Sequence, residues 1–156
     1  KGSLFEGGIR TPAIISFPSK LPKGAVRDQA VTVMDWYPTI LDLCGIPQPK
    51  HPLDGRSLLK VIASPDAPSP HKVLHWGWGN GWAVRQGDLK LIGRGKPRPG
   101  QKPREQLFSL TVDTPQSKDM SRQHPEIAAR LHALHADWMK AMEADVKARL
   151  ALGTAK

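Results

Sequence analysis

The sequence contains very little cysteine and no long apolar run. Cys44 is the single cysteine among 156 residues, so no disulfide can form within the chain and a disulfide-stapled scaffold is excluded. No apolar stretch approaches the roughly 20 residues that a membrane-spanning helix needs. The first residues, Lys1-Gly2-Ser3, lack the apolar core of a signal peptide and an initiator methionine. We therefore expect no membrane-spanning segment in the sequence, and expect that it begins inside a longer protein.

Acidic residues are also scarce, because 14 Asp and Glu stand against 23 Lys and Arg, for a net charge of +9. Such a surplus attracts anionic partners over long distances. The densest basic stretch, Arg94 to Arg104, is interrupted by glycine and proline, which favours a solvated loop over a docking site. Neither a zinc-finger spacing nor an aromatic-basic RNA-binding pattern accompanies it, so nucleic acid is not an expected partner.

What the chain does contain is sufficient for a folded core, with a hydrophobic fraction of 39% and five tryptophans. Ala13–Phe17 is a nearly continuous apolar run that predicts a strand buried on both faces of a parallel sheet. A helix is predicted over Val33–Cys44, started by a capping box of Thr32 with Asp35 and stopped by Gly45. Its spacing predicts that one face is buried, which would include Met34, Tyr37, Leu41 and Cys44. Ser57 is expected to cap a short helix that follows, over residues 58–62.

The pattern changes after residues 63–72, where three prolines predict a linker. Short strands are predicted over residues 73–76, 82–85, 90–92 and 106–110, with a hairpin turn at Gly87-Asp88. A long helix then begins with Pro125 at its first position. Its apolar stripe, which would cover one face of the sheet, consists of Ile127, Leu131, Leu134, Trp138 and Met142.

The first part of the chain cannot close a core by itself, because it contains one buried-type strand and two helices. The neighbours of that strand are expected to come from sequence outside this chain. The predicted class is therefore α/β, of the α+β type. Its expected parts are residues 1–63, the end of a larger α/β domain, and residues 64–156, a four-stranded antiparallel sheet packed on a long helix.

The stretch from Lys1 to Pro12, Lys-Gly-Ser-Leu-Phe-Glu-Gly-Gly-Ile-Arg-Thr-Pro, carries the clearest chemical signal. Its glycine pair permits close backbone approach or positive φ. Lys1 can present an ammonium to an anion, and Arg10 can hold a carboxylate or an oxyanion through two parallel hydrogen bonds. The alternative is that Lys1 is solvated and that Arg10 pairs with Glu6.

This stretch resembles the segment that follows the metal-binding Asp-Asn pair in the sulfatase family of the alkaline-phosphatase superfamily. The resemblance continues in the same order along nearly the whole chain. The further matching stretches are residues 17–22, 33–41, 44–47, 53–58, 83–92 and 106–110, followed by Asp113 and Pro115.

The resemblance implies that residues 1–63 are the tail of the sulfatase catalytic domain and that residues 64–156 are its C-terminal antiparallel subdomain. Lys1 corresponds to the family lysine that contacts the substrate sulfate, where an ammonium would stabilise charge on the leaving oxygen. Glu6 and Arg10 correspond to motif residues that we expect to hold the loop.

Two parts that the resemblance implies for the complete enzyme are missing from the sequence. The family nucleophile is a formylglycine made from Cys or Ser in a Cys/Ser-x-Pro-x-Arg motif, and no such motif occurs here. Cys44 precedes Gly-Ile-Pro-Gln and is predicted to be a buried structural thiol. The family's calcium needs clustered oxygen ligands, which the resemblance places before Lys1. We therefore expect the chain alone to be inactive.

The segment from His75 to Trp82 places tryptophan and asparagine between glycines, as in a platform on which a sugar ring stacks. The alternative is that Trp76 and Trp82 are core residues of neighbouring strands, which leaves His75, Trp78 and Asn80 as the predicted substrate contacts. His132 and His135, three apart on the last helix, are read as exposed, and no carboxylate or cysteine at ligand spacing completes a metal site with them.

The sequence thus predicts the C-terminal part of an enzyme that hydrolyses sulfate esters. Its expected partners are a sulfated small molecule or glycan and the remainder of the catalytic domain, with neither nucleic acid nor membrane. The resemblance implies a periplasmic or secreted protein. Two alternatives stay open: a phosphonate or phosphate ester hydrolase of the same superfamily, and a non-catalytic basic module that binds acidic glycans or nucleic acid.

Overall fold

The computed structural model describes residues 2–95 and 104–153. The described residues form two compact units. One contains the residues before Pro12 and those from Val73 onward, and the other is Pro12–Lys72. The helices are α1 Glu6–Ile9, α2 Trp36–Cys44, α3 Leu59–Ala63 and α4 Pro125–Gly153, with a 3₁₀ turn at Val33–Asp35; the strands are β1 Leu74–Trp78, β2 Gly81–Gln86, β3 Leu89–Arg94 and β4 Arg104–Ser109.

The four strands form one antiparallel sheet in the order β1-β2-β3-β4. This confirms the predicted sheet and the predicted mixed fold class. The turn between β2 and β3 lies at Gly87-Asp88 as predicted, and Gly87 has a φ of +56°, which suits glycine. The strand order in the sheet follows the order along the chain, so each strand lies beside its neighbour in sequence.

Helix α4 covers one face of the sheet, and Pro125 is its first residue, as predicted. Val84, Leu91 and Leu107 from three strands pack with Ala128 and Leu131 of the helix. Burying apolar side chains of this size contributes about 1.5–3 kcal/mol each. No helix among the described residues has both the length and the apolar character to cross a membrane.

The opposite face of the sheet is covered by the N-terminal segment, a contact that the local sequence pattern did not predict. Leu4 packs in a buried cluster with Ala83, Ile92 and Phe108. Phe5 joins this cluster, and its ring meets the Phe108 ring edge-on at 5.7 Å between centroids. The segment that carries the family resemblance is therefore part of the same core as the strands.

In the unit Pro12–Lys72, the fully buried carboxylate of Asp35 contacts three separate stretches of the chain. Its oxygens accept hydrogen bonds from the backbone N–H of Thr32 at 2.8 Å and of Arg56 at 2.7 Å. His71 Nε2 lies 2.8 Å from the same carboxylate. The predicted capping box of Thr32 and Asp35 is confirmed, and His71 ties the end of the proline-rich stretch to this unit.

The buried face of α2 was predicted wrongly. Pro38, Thr39 and Leu43 are the buried residues of the helix, whereas Tyr37 is 52% exposed and Cys44 is exposed. Thr39 explains the orientation, because its hydroxyl donates to the Asp35 carbonyl and accepts the Leu58 N–H. The bond with Leu58 turns the Thr39 side of α2 inward and leaves the more apolar side open in this unit. Met34, just before α2, is 49% exposed as well.

Two further local predictions are wrong. Ala13–Phe17 forms no strand, and Ile14 is 93% exposed. A strand needs a hydrogen-bonded neighbouring strand. The unit Pro12–Lys72, which is described throughout, contains no such neighbour. Ser57 does not cap a helix, since α3 begins at Leu59 and Leu58 occupies the cap position without a side-chain hydrogen bond.

Candidate substrate-binding cleft

The N-terminal segment folds back on itself before it meets the sheet. The Gly8 N–H donates to the Phe5 carbonyl at 2.8 Å, and the Phe5 N–H donates to the Ser3 hydroxyl at 3.2 Å. A Cβ atom on Gly8 would lie 2.2 Å from the Ser3 carbonyl oxygen. The close backbone approach predicted for the glycine pair is therefore confirmed at Gly8, where no larger residue fits.

Glu6 fixes this segment to the sheet from a buried position. Lys90 Nζ, which is fully buried, donates to Glu6 Oε1 at 2.6 Å, and Arg85 lies 3.9 Å from the other carboxylate oxygen. Burial lowers the pKa of Lys90, and the Glu6 carboxylate acts against that shift. The Glu6 N–H also donates to Gln116 Oε1 at 2.5 Å.

The other two motif residues do not share this site. Arg10 is exposed, and its side chain forms no ion pair within the part of the chain that is described. The Glu6 carboxylate is instead taken by Lys90 and Arg85, so the alternative pairing of Arg10 with Glu6 is not what the structure contains. Lys1 lies outside the described residues.

A cleft of about 290 Å³ lies where the N-terminal segment passes the turn between β1 and β2. Trp78 stands at its edge and is 65% exposed. Gly2, with a φ of +76°, passes so close to the indole that a Cβ there would lie 3.6 Å from Trp78 Nε1. The Gly95 N–H donates to the Asn80 carbonyl at 2.7 Å and fixes the turn. The lining residues are Gly2, Ser3, Leu4, Trp78, Gly79, Asn80, Gly81, Arg94 and Gly95.

His75 does not join Trp78 and Asn80 in this cleft. Successive strand residues alternate between the two faces, and His75 lies three positions before Trp78 in β1. Its ring stacks on Trp138 of α4 at 4.7 Å with 7° between planes, and its Nδ1 lies 3.4 Å from Nδ1 of His135. Burial, together with His135, lowers the pKa of His75 to about 4.

His135 was expected to be exposed, and that expectation is wrong. It is buried and stacks on Trp82 at 4.3 Å with 10° between planes. Trp82 can lie flat here because Gly93 on the neighbouring strand has no Cβ, which would otherwise meet the indole at 2.2 Å. Across residues 2–95 and 104–153, no group of three or more His, Cys, Asp or Glu could hold a metal ion.

Sequence reasoning missed two cationic side chains of this region. Lys90 gave no signal, because its partner Glu6 lies 84 positions away along the chain. Arg94 lies in the basic stretch that was interpreted as a solvated loop, but the residue itself belongs to β3 and lines the cleft. Strand register, which a single sequence does not reveal, is what places Arg94 there. Most of that stretch, residues 96–103, lies outside the described residues.

Comparison with known proteins identifies relatives of the chain. Residues 1–78, half of the chain, match the family described as N-sulphoglucosamine sulphohydrolase, C-terminal. The chain is 35% identical over 143 residues to an uncharacterized sulfatase, PB10D8.02c, of Schizosaccharomyces pombe, which covers 84% of this chain and 25% of that protein. It is 33% identical over 106 residues to the N-acetylgalactosamine-6-sulfatase of Canis lupus familiaris, covering 56% of this chain and 20% of that protein.

Among solved structures, the crystal structure of Ps i-CgsB has a similar fold, with a TM-score of 0.63 at 22% identity over 78% of this chain and 27% of that one. The two curated relatives are much longer than this chain, which spans about a quarter or less of the length of each. The match over half of the chain identifies it as a member of the C-terminal family of sulfatases.

Proposed function

We propose that this chain is the C-terminal portion of an enzyme that hydrolyses sulfate esters, and that its cleft binds the alcohol part of the substrate. The observation that carries the proposal is that Gly2 and the exposed indole of Trp78 line the same cleft, where a Cβ on Gly2 would lie 3.6 Å from the indole nitrogen. Gly2 follows Lys1, the residue that corresponds to the family's sulfate-contacting lysine. The sequence motif for the sulfate and the aromatic side chain for the rest of the substrate thus meet at one cleft.

Each residue of the motif has a separate role in this proposal. The Lys1 ammonium neutralises the sulfate and stabilises the charge that develops on the leaving oxygen. Glu6 anchors the segment through Lys90 and thereby limits how far the preceding residues can move. Arg10, exposed within this unit, is proposed to hold the loop through a carboxylate or oxyanion outside the described residues.

The substrate class that we propose is a sulfated sugar. A tryptophan side chain offers a large flat apolar face, on which the apolar face of a pyranose can pack, and Asn80 lies next to it in the turn. The name of the Canis lupus familiaris relative supports a sulfated amino sugar as the ester. We do not assign His75 to the site, since it lies on the helix side of the sheet.

Formylglycine and calcium, which the family resemblance implies, do not fit the residues of this chain. Cys44 is an exposed thiol in the last turn of α2, and Gln48 stands where the maturation motif requires arginine. The described residues also contain no cluster of metal ligands. We propose that both groups belong to the remainder of the enzyme.

The remainder of the catalytic domain is the partner that we propose for the open side of α2. Tyr37, Ile40 and Cys44 all lie on this surface, and Tyr37 and Ile40 are each about half exposed. Ile14, which is 93% exposed, would be covered in the same way. In this proposal, residues 1–63 are the end of that domain and residues 64–156 are its C-terminal subdomain. We also propose that the complete protein is exported from the cytoplasm.

The test is hydrolysis by the complete enzyme that contains this chain. We expect release of sulfate from an aryl sulfate, with little or no release of phosphate from the matching aryl phosphate or phosphonate ester. Faster turnover of the phosphorus esters would instead favour the other hydrolase class. Binding to acidic glycans that falls steeply with salt, without turnover of any ester, would favour a non-catalytic basic module.

A further inference from the structure

The second half of α4 extends beyond the sheet that its first half covers. The side chains of α4 that pack on the sheet include Ile127 near the start of the helix and Trp138 near its middle. Of the next twelve positions, residues 139–150, all are exposed except Met142, which is half-buried. At 1.5 Å per residue, this segment is about 18 Å long. We call residues 139–150 the α4 arm.

An apolar stripe runs along the α4 arm. Met142, Val146 and Leu150 follow one another at intervals of four residues, which places them on one side of the helix. Val146 is 54% exposed and Leu150 is 65% exposed, and Met139, beside this row, is 40% exposed. A helix with an apolar stripe buries that stripe against another surface, and an exposed apolar row of this kind commonly marks an interface.

The charged residues of the α4 arm are arranged symmetrically about Val146. On one flank of the stripe, Glu143 is followed four residues later by Lys147. On the other flank, Asp145 is followed four residues later by Arg149, and these two side chains lie 2.7 Å apart. Both acids therefore precede Val146 and both bases follow it, at matching separations of one and three residues.

This arrangement fits a second copy of the same helix that runs in the opposite direction. When two antiparallel helices cross at Val146, the acidic half of one arm faces the basic half of the other. Glu143 then meets Lys147 of the second copy on one flank, and the same holds on the other flank. In a parallel pair in the same register, the acidic halves would face each other and repel.

The apolar side chains satisfy the same symmetry. In the antiparallel pair, the two Val146 side chains meet at the centre, and Met142 lies level with Leu150 of the second copy. A twofold interface uses one surface on both subunits, so that surface must be complementary to itself. The α4 arm meets this requirement both in charge and in its apolar stripe.

We propose that the complete protein forms a twofold dimer through antiparallel pairing of two α4 arms, centred on Val146. Within this unit, α4 covers the face of the sheet opposite the N-terminal segment, so the dimer contact and the cleft lie on different faces. A contact about 18 Å long buries less than the roughly 1,200 Å² of a standard interface, so we expect a weak dimer with a micromolar Kd. The dimer does not depend on the proposed hydrolysis of sulfate esters.

The experiment follows the mass of the complete protein by sedimentation velocity at concentrations from about 1 to 300 µM, because dimer formation depends on concentration. We expect the mean mass to rise from that of one copy toward that of two. Val146→Asp places like charges face to face at the centre and should keep the protein monomeric. Its melting temperature at the lowest concentration should equal that of wild type, since Val146 is exposed.

Charge reversal tests the pairing itself. Glu143→Lys combined with Asp145→Lys makes the α4 arm basic throughout, and Lys147→Glu combined with Arg149→Glu makes it acidic throughout. Each double variant should associate with itself at least about tenfold more weakly than wild type, because attractive pairs become repulsive on both flanks. An equimolar mixture of the two should dimerise again, since a basic arm then faces an acidic one.

The control is Asp137→Lys, which adds positive charge on the opposite side of the same helix, nine residues before Val146. This variant should associate like wild type. A monomer at every concentration would overturn the inference, as would a dimer that Val146→Asp leaves intact. A monomer whose melting temperature falls by several degrees in Val146→Asp would show instead that the remainder of the enzyme covers the α4 arm. Failure of the mixed double variants to dimerise would overturn the antiparallel pairing.

Discussion

At the scale of single residues, the buried ion pair of Lys90 with Glu6 is the contact on which the N-terminal segment depends. Lys90 is the largest side chain among the fully buried ones, and an ammonium buried without a partner is strongly unfavourable. Glu6→Gln leaves that charge without its carboxylate, so we expect it to destabilise the unit by about 3–5 kcal/mol. Chemical denaturation of wild type and variant measures this difference.

The control for Glu6→Gln is Asp137→Asn, which removes one carboxylate from an exposed pair with Lys140. An exposed pair contributes at most about 1 kcal/mol, so this variant should be nearly neutral. Equal effects of the two substitutions would mean that the buried pair does not anchor the segment. Neither partner of the Glu6–Lys90 pair is recognisable from its neighbours in sequence, which is why local patterns did not predict it.

Lys1 is the residue whose proposed role is chemical, and its test requires the complete enzyme. Removing a preorganised donor that stabilises transition-state charge typically costs about 10²–10³-fold in rate. We expect Lys1→Ala to lower kcat/KM for an aryl sulfate by about that factor. Lys23→Ala, at an exposed position in Pro12–Lys72, should have no effect. A loss below threefold for a folded Lys1→Ala enzyme would show that this lysine does not contact the sulfate.

A substitution of Trp78 distinguishes a role in substrate contact from a role in folding. Because the side chain is 65% exposed, Trp78→Ala should leave the melting temperature almost unchanged. It should raise KM for a bulky sulfated saccharide much more than for a small aryl sulfate, since stacking area is lost only with the larger substrate. Kinetics on both substrates, beside a thermal melt, measure these effects.

Trp82→Ala is the matched control, because Trp82 stacks on His135 inside the interface between the sheet and α4. It should lower the melting temperature and impair both substrates alike through loss of folded protein. If Trp78→Ala changes neither substrate, Trp78 is an ordinary exposed turn residue and the cleft does not receive the sugar.

At the scale of elements, the interface between β1 and α4 contains two facing imidazoles. His75 and His135 approach to 3.4 Å between their Nδ1 atoms, and burial is the largest cause that lowers the pKa of each. The unfolded chain, with a histidine pKa of about 6.5, therefore binds protons that the folded chain excludes. Stability from this interface is complete above about pH 6.5 and is lost progressively as the pH falls toward 4.

The remaining charged groups on this side allow the effect to be isolated. His132 lies beside His135 on α4 and meets Glu105 of β4, so it keeps its own carboxylate partner. Asp113, whose pKa the N–H groups of Ser117 and Lys118 hold below its usual range, loses stabilisation only below about pH 4. The part of the loss between pH 6.5 and 4 that disappears when the His75 imidazole is removed is therefore the contribution of the facing histidines.

His75→Phe keeps an aromatic ring against Trp138 and removes the proton site. Melting temperatures at pH 7.5, 6.0 and 4.5 should fall less steeply for this variant than for wild type. His51→Phe, at an exposed loop position, should follow the wild-type profile. Parallel profiles for all three proteins would exclude the histidine contact as the source of acid sensitivity.

Elements were predictable from the sequence where their stabilising contacts are local. Short strand-like runs, two of them joined by a turn at Gly87-Asp88, predicted all four strands, and the Thr32–Asp35 capping box predicted the start of the helical segment that leads into α2. The facing of α2 was not predictable, because it is set by a hydrogen bond that the Thr39 hydroxyl accepts from the Leu58 N–H, outside the helix. The cleft depends on strand register and on packing of residues 2–5 against strands far along the chain, so only Trp78 and Asn80 of its lining were identified in advance.

At the scale of the whole molecule, the exposed apolar surface and the lack of a nucleophile motif and of a metal-ligand cluster among the described residues point to the same conclusion. Ile14, Val33, Tyr37 and Ile40 are all at least half exposed in the unit Pro12–Lys72, and exposed apolar patches commonly mark interfaces. The curated relatives are at least about four times as long as the aligned stretch. The proposal that the remainder of the catalytic domain covers this surface explains both observations.

We predict that the 156-residue chain alone hydrolyses no aryl sulfate, with or without added calcium. It contains no Cys/Ser-x-Pro-x-Arg motif, and its described residues hold no cluster of metal ligands. Adding the separately expressed upstream part of the same protein should restore activity, because burial of the apolar surface would drive the two parts together. Ile40→Asp, which places a charge on that surface, should weaken this restoration at least tenfold, whereas Asp137→Asn should not. Turnover by the chain alone above a denatured control would contradict the proposal that the nucleophile and the metal lie elsewhere.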